Sequence, residues 1–433
     1  MVIRQTSLRG IANKAAVQKT YRFRSLARLL TVDFLLFNWG SINKKAASGI
    51  DNVSAREYEE NLQENIENLV DCLKGNRYKA KLVQRHYIPK ANGKMRPLGI
   101  PAIDDKVLQT GVKAILEAIY EQDFLPCSYG YRPHRGAKDA IKDLYQELSR
   151  GKYNYIVEAD IKGYFDNIDH THLLNMLALR IDDKRFLGLI RKWLKAGILD
   201  IDGQIIHPET GTPQGGIVSP VLANVYLHYA LDLWFESVVK PHCRGAAYLC
   251  RYADDFICAF QFESDAKTFY RELGQRLGQL NLQLAEDKTR TIKFSRFQGK
   301  EKTYFEFLGF EFRWGKSRAG KTTLKTRTGK KKLRSSIKDF AKWCKENRHK
   351  KVSIIFKEVN SKLRGYYNYY GVSGNSESLN TYFYYAKCNL FKWLNRRSQR
   401  RSYNWQGFNE LIKYLRLEKP RIIVKPTQLV LCF

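Results

Sequence analysis

The first regular pattern of apolar and polar positions lies between residues 55 and 75. Apolar side chains recur there every three or four residues, which is the spacing of one buried face of an α-helix. Gly75 follows the last of them, and glycine commonly ends a helix. The pattern predicts an amphipathic helix with apolar positions at Tyr58, Leu62, Ile66, Leu69 and Leu73. Other helical stretches are predicted over residues 104–120, 168–195, 220–240 and 333–398.

A β-hairpin is predicted between residues 81 and 101. Two strand-like runs, VQRHYI and RPLGI, flank Asn92-Gly93. This dipeptide favours a tight turn because both of its positions tolerate a positive φ angle. The stretch from Gly315 to Lys332 differs, because it is rich in Lys, Arg, Thr and Gly and shows no apolar period. A linker is predicted there.

Acidic side chains stand at the ends of two other apolar runs. Residues 153–160 form a strand-like run that ends at Asp160, and residues 247–260 form a hairpin with Asp254 and Asp255 at its tip. Aspartate is common in turns, so an isolated Asp-Asp pair would usually reflect turn chemistry alone. Three converging carboxylates would repel each other, however, and a bound divalent cation removes that cost. The pattern therefore indicates a magnesium site.

The charge balance points to a polyanionic partner. The chain has 433 residues, with 75 Lys and Arg against 43 Asp and Glu, and its formal net charge is +32. A surface this basic repels itself unless a polyanion screens it. Nucleic acid is such a partner, because each neutralised phosphate releases condensed counterions. No apolar run approaches the length of a membrane span, so no membrane partner is expected.

The cysteines and the N-terminal segment bear on the compartment. No pair of the eight cysteines forms a C-x-x-C motif, which disfavours a zinc ribbon, and a reducing compartment is expected. Residues 1–32 are basic and contain no acid. That composition fits either an organelle transit peptide or a basic arm that lies on RNA, and the arm is favoured.

The sequence Tyr252-Ala253-Asp254-Asp255 is similar to the signature of reverse transcriptases. The blocks around it resemble, in their order, the group II intron-encoded reverse transcriptase/maturase family, over about residues 40–400. Two C-terminal stretches, LRGYYNYYGVSG and YAKCNLFKWLNRRSQRR, resemble that family's thumb. The other matching blocks are Ser48–Ala80, Ile88–Pro101, Pro126–Ile141, Glu158–His170, Gly211–His228, Leu282–Thr289 and Phe305–Phe312.

The resemblance implies an α+β right-hand polymerase fold. Its fingers and palm would combine an antiparallel palm sheet with helices, and its thumb would be all-helical. The family's endonuclease module has no counterpart after Arg401, so independent cleavage of a target strand is not expected. The implied units are a basic N-terminal arm (1–47), an N-terminal extension with fingers (48–155), a palm (156–315), a basic linker (316–332), a thumb/maturase (X) domain (333–400) and a short basic C-terminal tail (401–433).

The resemblance also implies a set of catalytic residues, namely Asp160, Asp254 and Asp255. Asp160 and Asp254 would ligate two Mg²⁺ ions, for which Mn²⁺ could substitute, and Asp255 would support them. The backbone carbonyl of Ile161 would be a further ligand. Ions placed in this way activate a primer 3′-hydroxyl and stabilise the leaving pyrophosphate.

Six residues are expected, by the same resemblance, to contact the incoming deoxynucleoside triphosphate. Phe165 would form an apolar wall that rejects a ribose 2′-hydroxyl, with a plain core phenylalanine as the alternative. Lys288 would protonate the pyrophosphate or, equally well, close a salt bridge with a neighbouring acid. Lys90 and Arg96 would close over the triphosphate or remain solvated. The full set is Lys90, Arg96, Phe165, Gln214, Asn224 and Lys288.

Basic positions in the C-terminal part are expected to contact nucleic acid. A bare charge run is usually a solvated face, but beside a polymerase palm the phosphate backbone is an available partner. Aromatic residues between 366 and 385 would form core or stack on unpaired bases. The basic positions are Lys325, Arg327, Lys330, Lys331, Lys332, Arg334, Arg396, Arg397, Arg400 and Arg401.

The resemblance implies an RNA-directed DNA polymerase that is also a maturase for its group II intron RNA. One alternative is a freestanding or host-adopted reverse transcriptase with a dedicated non-coding RNA, for example in phage defence. Another is an RNA-binding splicing factor without polymerase activity. The expected partners are an RNA template, intron or non-coding RNA, a DNA primer or target, and dNTPs. A bacterial cytoplasm is expected, or an organelle if residues 1–32 are a transit peptide.

Overall fold

The computed structural model describes residues 2–89, 93, 95–297, 303–317, 319–397 and 402–423. Its helices are α1 (Val2–Val17), α2 (Val32–Trp39), α3 (Ala55–Glu60), α4 (Leu62–Lys74), α5 (Ile103–Tyr120), α6 (Ala137–Arg150), α7 (His170–Ala178), α8 (Lys184–Leu194), α9 (Ser219–Leu227), α10 (Lys240–His242), α11 (Glu263–Gly278), α12 (Lys330–Asn347), α13 (Val352–Tyr370), α14 (Ser376–Leu394) and α15 (Trp405–Tyr414). Its strands are β1 (Val83–Pro89), β2 (Met95–Ile100), β3 (Tyr155–Ala159), β4 (Ile198–Leu199), β5 (Ile205–Ile206), β6 (Ala247–Tyr252), β7 (Asp255–Phe260), β8 (Arg290–Lys293), β9 (Tyr304–Phe307), β10 (Phe310–Lys316) and β11 (Thr322–Thr328).

An antiparallel sheet in the order β6-β7-β3-β8 lies at the centre of the molecule. Successive side chains of a strand point to opposite faces, and both faces of β7 are buried. Phe256, Cys258 and Phe260 enter one apolar core, which α11 also lines, whereas Ile257 and Ala259 enter a second core with α6. Burial on both faces explains why this hairpin is a nearly continuous apolar run in the sequence.

The hairpin predicted between residues 81 and 101 is confirmed. β1 and β2 pair antiparallel, with His86 opposite Leu98. β1 also pairs in parallel with β4, so this sheet has the order β2-β1-β4-β5. Gly93 adopts a φ of 79°, a conformation that suits glycine and a tight turn. The turn positions 90–92 and 94, and with them the candidate Lys90, lie outside the described residues.

The structure replaces the linker predicted over residues 316–332 with a β-hairpin. β10 and β11 pair along their length, with Trp314 opposite Leu324, and β9 completes a sheet in the order β11-β10-β9. Leu324, Thr326 and Thr328 are buried. The sequence did not reveal the alternation of buried and exposed positions along β11. Its buried face is formed mainly by threonines, which are good strand formers but not strongly apolar.

The segment predicted to be a basic N-terminal arm is largely helical over its described residues, but it is not a free arm. α1 runs along α5, and Leu26, Phe34 and Trp39 are buried in the main core. Arg24 pairs with Asp182 at 2.8 Å. The apolar residues of this segment therefore anchor it to the body of the protein, and part of its positive charge is used in doing so.

The C-terminal helices form a unit with its own apolar core. α12 packs against α14, and the rings of Tyr366 and Tyr382 stack with centroids 3.7 Å apart. The expected α+β fold class is confirmed, while the limits assigned to the individual domains remain a prediction. None of the helices in the described ranges is long and apolar enough to cross a membrane.

Candidate active site

Three carboxylates meet at one edge of the central sheet. The turn between β6 and β7 consists of Ala253, which has a φ of 56°, and Asp254. β3 pairs with β7 up to the last residue of β3, so Asp160, the next residue, lies beside Asp255. Strand pairing thus brings together the three acids that the sequence predicted at a strand end and a hairpin tip.

Asp160 is held on its other side by the segment 283–288. Its carbonyl oxygen accepts a hydrogen bond from the amide of Ala285 at 2.8 Å, and the buried Ile161 forms an antiparallel bridge with the same segment. This pairing brings Lys288 to the centre, where its Nζ atom donates a hydrogen bond to Oδ2 of Asp160. The salt bridge considered for Lys288 is therefore present in this structure.

Removal from water and mutual repulsion raise the pKa values of the turn acids. Burial raises the pKa of Asp254, the charge of Asp160 adds to the rise, and Arg96 and Lys288 oppose it. Partial removal from water, with the charges of Asp254 and Asp160, raises the pKa of Asp255 to about 6, although the residue remains exposed at the surface. The hydrogen bond to Asp160 raises the pKa of Lys288. The centre therefore favours an additional positive charge.

The loop before α9 connects the central sheet to the β1–β2 hairpin. The amide of Thr212 donates to the carbonyl of Phe165 at 2.8 Å, and the carbonyl of Gln214 accepts from the amide of Gly99 at 2.6 Å. A Cβ atom on Gly215 would lie 2.6 Å from the Gly99 oxygen, so this approach requires glycine. Gln214 is half-buried between the two sheets.

Phe165 packs against Tyr131, a residue near Asp254 that sequence reasoning missed. Its ring is half-buried and meets Tyr131 edge-on, with centroids 6.2 Å apart. Tyr131 is 50% exposed and has a φ of 58°. Burial raises the pKa of its hydroxyl, with Asp254 adding to the rise and Arg96 opposing it. The only signal in the sequence was its place within the block Pro126–Ile141, since a turn of this kind is not visible in composition.

Asn224 does not lie where a nucleotide contact was expected. It is 1% exposed, and its Nδ2 atom donates to the carbonyl of Gly130 at 2.7 Å. Its Oδ1 atom accepts from Nη1 of Arg251 at 3.1 Å. Both polar atoms of the Asn224 amide are therefore hydrogen-bonded within the protein, on the buried side of the turn, because α9 packs into the core. Arg96, by contrast, is exposed on β2.

Four of the basic residues expected to contact nucleic acid are exposed at the start of α12. The charge of Lys332 opposes the raised pKa of Asp255, so this end of α12 lies within electrostatic reach of the carboxylates. The exposed residues, called here the α12 basic cluster, are Lys330, Lys331, Lys332 and Arg334.

The other basic candidates are placed differently. Arg327 pairs with the buried Glu311 at 2.5 Å, so its charge is largely neutralised within the protein, while Lys325 is half-buried on the same strand. Arg397 donates to a backbone carbonyl at 2.7 Å, and Arg396 lies over the ring of Trp393. Arg400 and Arg401 lie outside the described residues.

The donor set at the carboxylate edge fits Mg²⁺ rather than a closed metal cage. Across the described segments, no group of three His, Cys, Asp or Glu side chains is arranged to enclose a metal ion. Mg²⁺ is usually held by one or two carboxylates together with water and substrate phosphates. Asp160 and Asp254 offer such carboxylates, and the ammonium group on Asp160 shows that the edge attracts a cation.

The structure thus places two acids at the tip of the β6–β7 hairpin and a third at the end of the neighbouring strand β3. Residues 88–312 match the family model described as Reverse transcriptase (RNA-dependent DNA polymerase). The chain is 31% identical over 412 residues to the group II intron-encoded protein LtrA of Lactococcus lactis subsp. cremoris, which covers 76% of this chain and 67% of that protein.

Two other relatives extend the comparison. Protein YkfC of Escherichia coli (strain K12) is 33% identical over 318 residues, which is 65% of this chain and 83% of that protein. Nuclear intron maturase 4, mitochondrial, of Arabidopsis thaliana is 27% identical over 130 residues, which is 30% of this chain and 16% of that protein. The chain is therefore an RNA-directed DNA polymerase and belongs to the group II intron-encoded reverse transcriptase/maturase family.

Proposed function

We propose that Asp160, Asp254 and Asp255 form the centre at which this reverse transcriptase adds deoxynucleotides to a primer on an RNA template. The observation that supports this most directly is the convergence of the three carboxylates at one edge of the central sheet. The paired strands on either side hold the ends of the turn and the position of Asp160 in place.

Asp160 and Asp254 would hold two Mg²⁺ ions, with Mn²⁺ as a substitute, and the carbonyl of Ile161 would complete the protein ligands. When bound, the ions activate the primer 3′-hydroxyl and stabilise the leaving pyrophosphate. Lys288 neutralises Asp160 in this structure. Its ammonium group binds Oδ2 of Asp160 and would have to move before that oxygen could serve as a ligand, after which it could donate a proton to the pyrophosphate.

The nucleotide would be bound by side chains on both sheets. Phe165 and Tyr131 form an aromatic wall at the carboxylates, and such a wall leaves a ribose 2′-hydroxyl without room or a polar partner. Gln214 lies between the palm and the β1–β2 hairpin. Arg96 and Lys90 on that hairpin would offset the charge of the triphosphate.

We further propose that the protein is a maturase that binds its own group II intron RNA. The α12 basic cluster supplies exposed positive charge beside the carboxylates, and LtrA, a relative over most of this chain, is a group II intron-encoded protein. A DNA primer or target would share this surface.

Primer extension on an RNA template tests the catalytic assignment. We expect wild-type protein with Mg²⁺ and dNTPs to make cDNA, and Asp254→Ala to lower kcat by at least about 10²-fold, because charge stabilisation at the reacting atoms is lost. RNA binding, measured by filter retention, should persist, because it depends on the basic surface. The control is Asp287→Ala, which removes an exposed acid next to Lys288.

The outcomes separate the assignments. Equal loss in both variants would mean that a general change of charge is responsible, and full activity of Asp254→Ala would refute the proposed centre. A splicing assay with flanking intron RNA tests the maturase role separately. Asp254→Ala should still promote splicing, because RNA binding does not require the carboxylates.

A further inference from the structure

We propose that Arg251 is a positioning residue, whose guanidinium group holds the Ala253 backbone and thereby sets the direction of Asp254. This inference rests on the proposed role of Asp254. Arg251 lies on β6, two residues before Ala253, and is 0% exposed. Because its side chain is fully buried, it cannot contact substrate, and its effect on the reaction passes through the turn.

Every donor of the guanidinium group is used. An arginine has five N–H donors in a fixed fork. Nε and Nη2 donate to the two carboxylate oxygens of Asp232, at 2.7 and 2.5 Å. Nη2 also donates to Oγ of Ser128 at 2.8 Å. Nη1 donates to Oδ1 of Asn224 at 3.1 Å and to the carbonyl of Ala253 at 3.0 Å. A lysine, with three donors around one atom, could not satisfy this set.

The buried charge is matched by a buried partner. Asp232 is 0% exposed and belongs to the π-helical segment His228–Asp232, a geometry that is often found at functional sites. A buried ion pair contributes little to stability compared with well-packed apolar side chains, but removing one partner is costly. The distinct contribution of this pair is therefore the directional hydrogen bond to the turn.

Asn224, which accepts a hydrogen bond from Arg251, also holds a second segment against the turn. Nδ2 of Asn224 donates to the carbonyl of Gly130, and a Cβ atom on Gly130 would lie 2.3 Å from the amide nitrogen of Ala253. The backbone beside Gly130 also pairs with Arg251, since the amide of Tyr129 donates to the Arg251 carbonyl at 2.9 Å. Ala253 has a positive φ, which is unfavourable for a residue with a side chain and persists only where the surroundings impose it.

Arg251→Lys tests the proposal, and Arg180→Lys is a matched control. Arg180 is also buried, with its side chain 3% exposed, and it pairs with Asp123 at 2.9 Å, but it fastens the N-terminal segment. Hydrogen–deuterium exchange of the peptide that contains the turn should be about tenfold faster in Arg251→Lys and unchanged in Arg180→Lys. This readout does not depend on a metal or on activity.

Two further readouts connect the turn to the reaction. Mn²⁺ binding to a complex with a 3′-deoxy-terminated primer, followed by electron paramagnetic resonance, should weaken several-fold in Arg251→Lys. Its kcat should fall by about 10²-fold, while the affinity for template–primer stays unchanged. If Arg251→Lys does not fold, Ser128→Ala removes one of the five bonds and should give the same changes at smaller size.

The possible results are decisive for different parts of the proposal. Wild-type exchange at the turn and wild-type Mn²⁺ binding in folded Arg251→Lys would overturn it, as would equal changes in Arg180→Lys. If Arg251→Lys loosens the turn while Asp254→Ala keeps full activity, the proposed role of Asp254 fails and the structural role of Arg251 stands.

Discussion

The carboxylate edge and the α12 basic cluster would act on the same nucleic acid in different ways. At the edge, strand pairing, a buried arginine and the segment 283–288 fix the carboxylates. The α12 basic cluster, in contrast, is an exposed turn of an amphipathic helix. Chemistry requires reacting groups in one geometry, whereas attraction to phosphates requires only positive charge nearby. Changes at the edge should therefore alter turnover, and changes on α12 should alter affinity.

The largest effect should follow from Asp160→Asn, which keeps the shape of the side chain and removes its charge. We expect kcat for primer extension to fall by about 10²- to 10³-fold, because a ligand group is lost at the reacting atoms. The Kd for template–primer should stay within about twofold of wild type. Asp202→Asn, in the exposed turn between β4 and β5, is the control. A change in Kd as large as the change in kcat would mean that the two regions are not separable.

A smaller effect at the carboxylate edge is expected from Phe165→Ala. Loss of the ring that packs against Tyr131 opens space for a 2′-hydroxyl, so selectivity for dNTP over rNTP should fall by about 10- to 10²-fold. The measurement is the ratio of kcat/KM values for dGTP and GTP. An unchanged ratio would show that Phe165 is only a core residue.

The triple variant Lys330→Ala/Lys331→Ala/Arg334→Ala tests the other region. The affinity for template–primer should fall by about tenfold at moderate salt, and each lost phosphate contact should reduce the slope of log K against log salt by about 0.7 to 0.9. The kcat at saturating template–primer should not change. Lys332 is left in place because its charge acts on Asp255. A fall in saturated kcat would contradict the division between the two regions.

The smallest effect should come from the buried His228, and it should change the stability of the protein without changing turnover or affinity. His228 is 3% exposed, and its burial lowers its pKa to about 4. Unfolding releases the ring to bind a proton near pH 6.5, so the stability that neutral His228 contributes is complete above pH 6.5 and is lost as the pH falls toward 4.

Urea unfolding at two pH values measures this contribution. Between pH 7.5 and pH 5.5 the free energy of unfolding should fall by about 1 kcal/mol more in wild type than in His228→Gln. The comparison with the variant is needed because burial raises the pKa of Asp105 to about 6, and that group acts with the opposite sign in the same range. Equal pH dependence in the two proteins would show that His228 does not titrate in this way.

Local patterns in the sequence were sufficient to predict individual helices, strands and turns. The period of α4, the Asn-Gly turn between β1 and β2, and acids after β3 and between β6 and β7 could all be recognised, because each depends on neighbours in the chain. The β10–β11 hairpin was missed, since its inner threonines do not stand out as apolar. The docking of the N-terminal segment was not predicted, because its basic composition is typical of a solvated arm. Its few apolar residues, such as the buried Leu26 and Phe34, form no regular pattern that would indicate a core contact.

The sequence by itself determined the class of protein, the basic surface and the identity of the acids, because these follow from residue types and local spacing. Only the tertiary structure decided which side chains surround the acids. Asn224 lies on the buried side of the turn and Tyr131 on its exposed side. Arg251 on β6 is hydrogen-bonded to Asp232 and Ser128, which belong to other parts of the fold. Such contacts join residues that are far apart in the chain, and the packing of the elements, rather than any local pattern, brings them together.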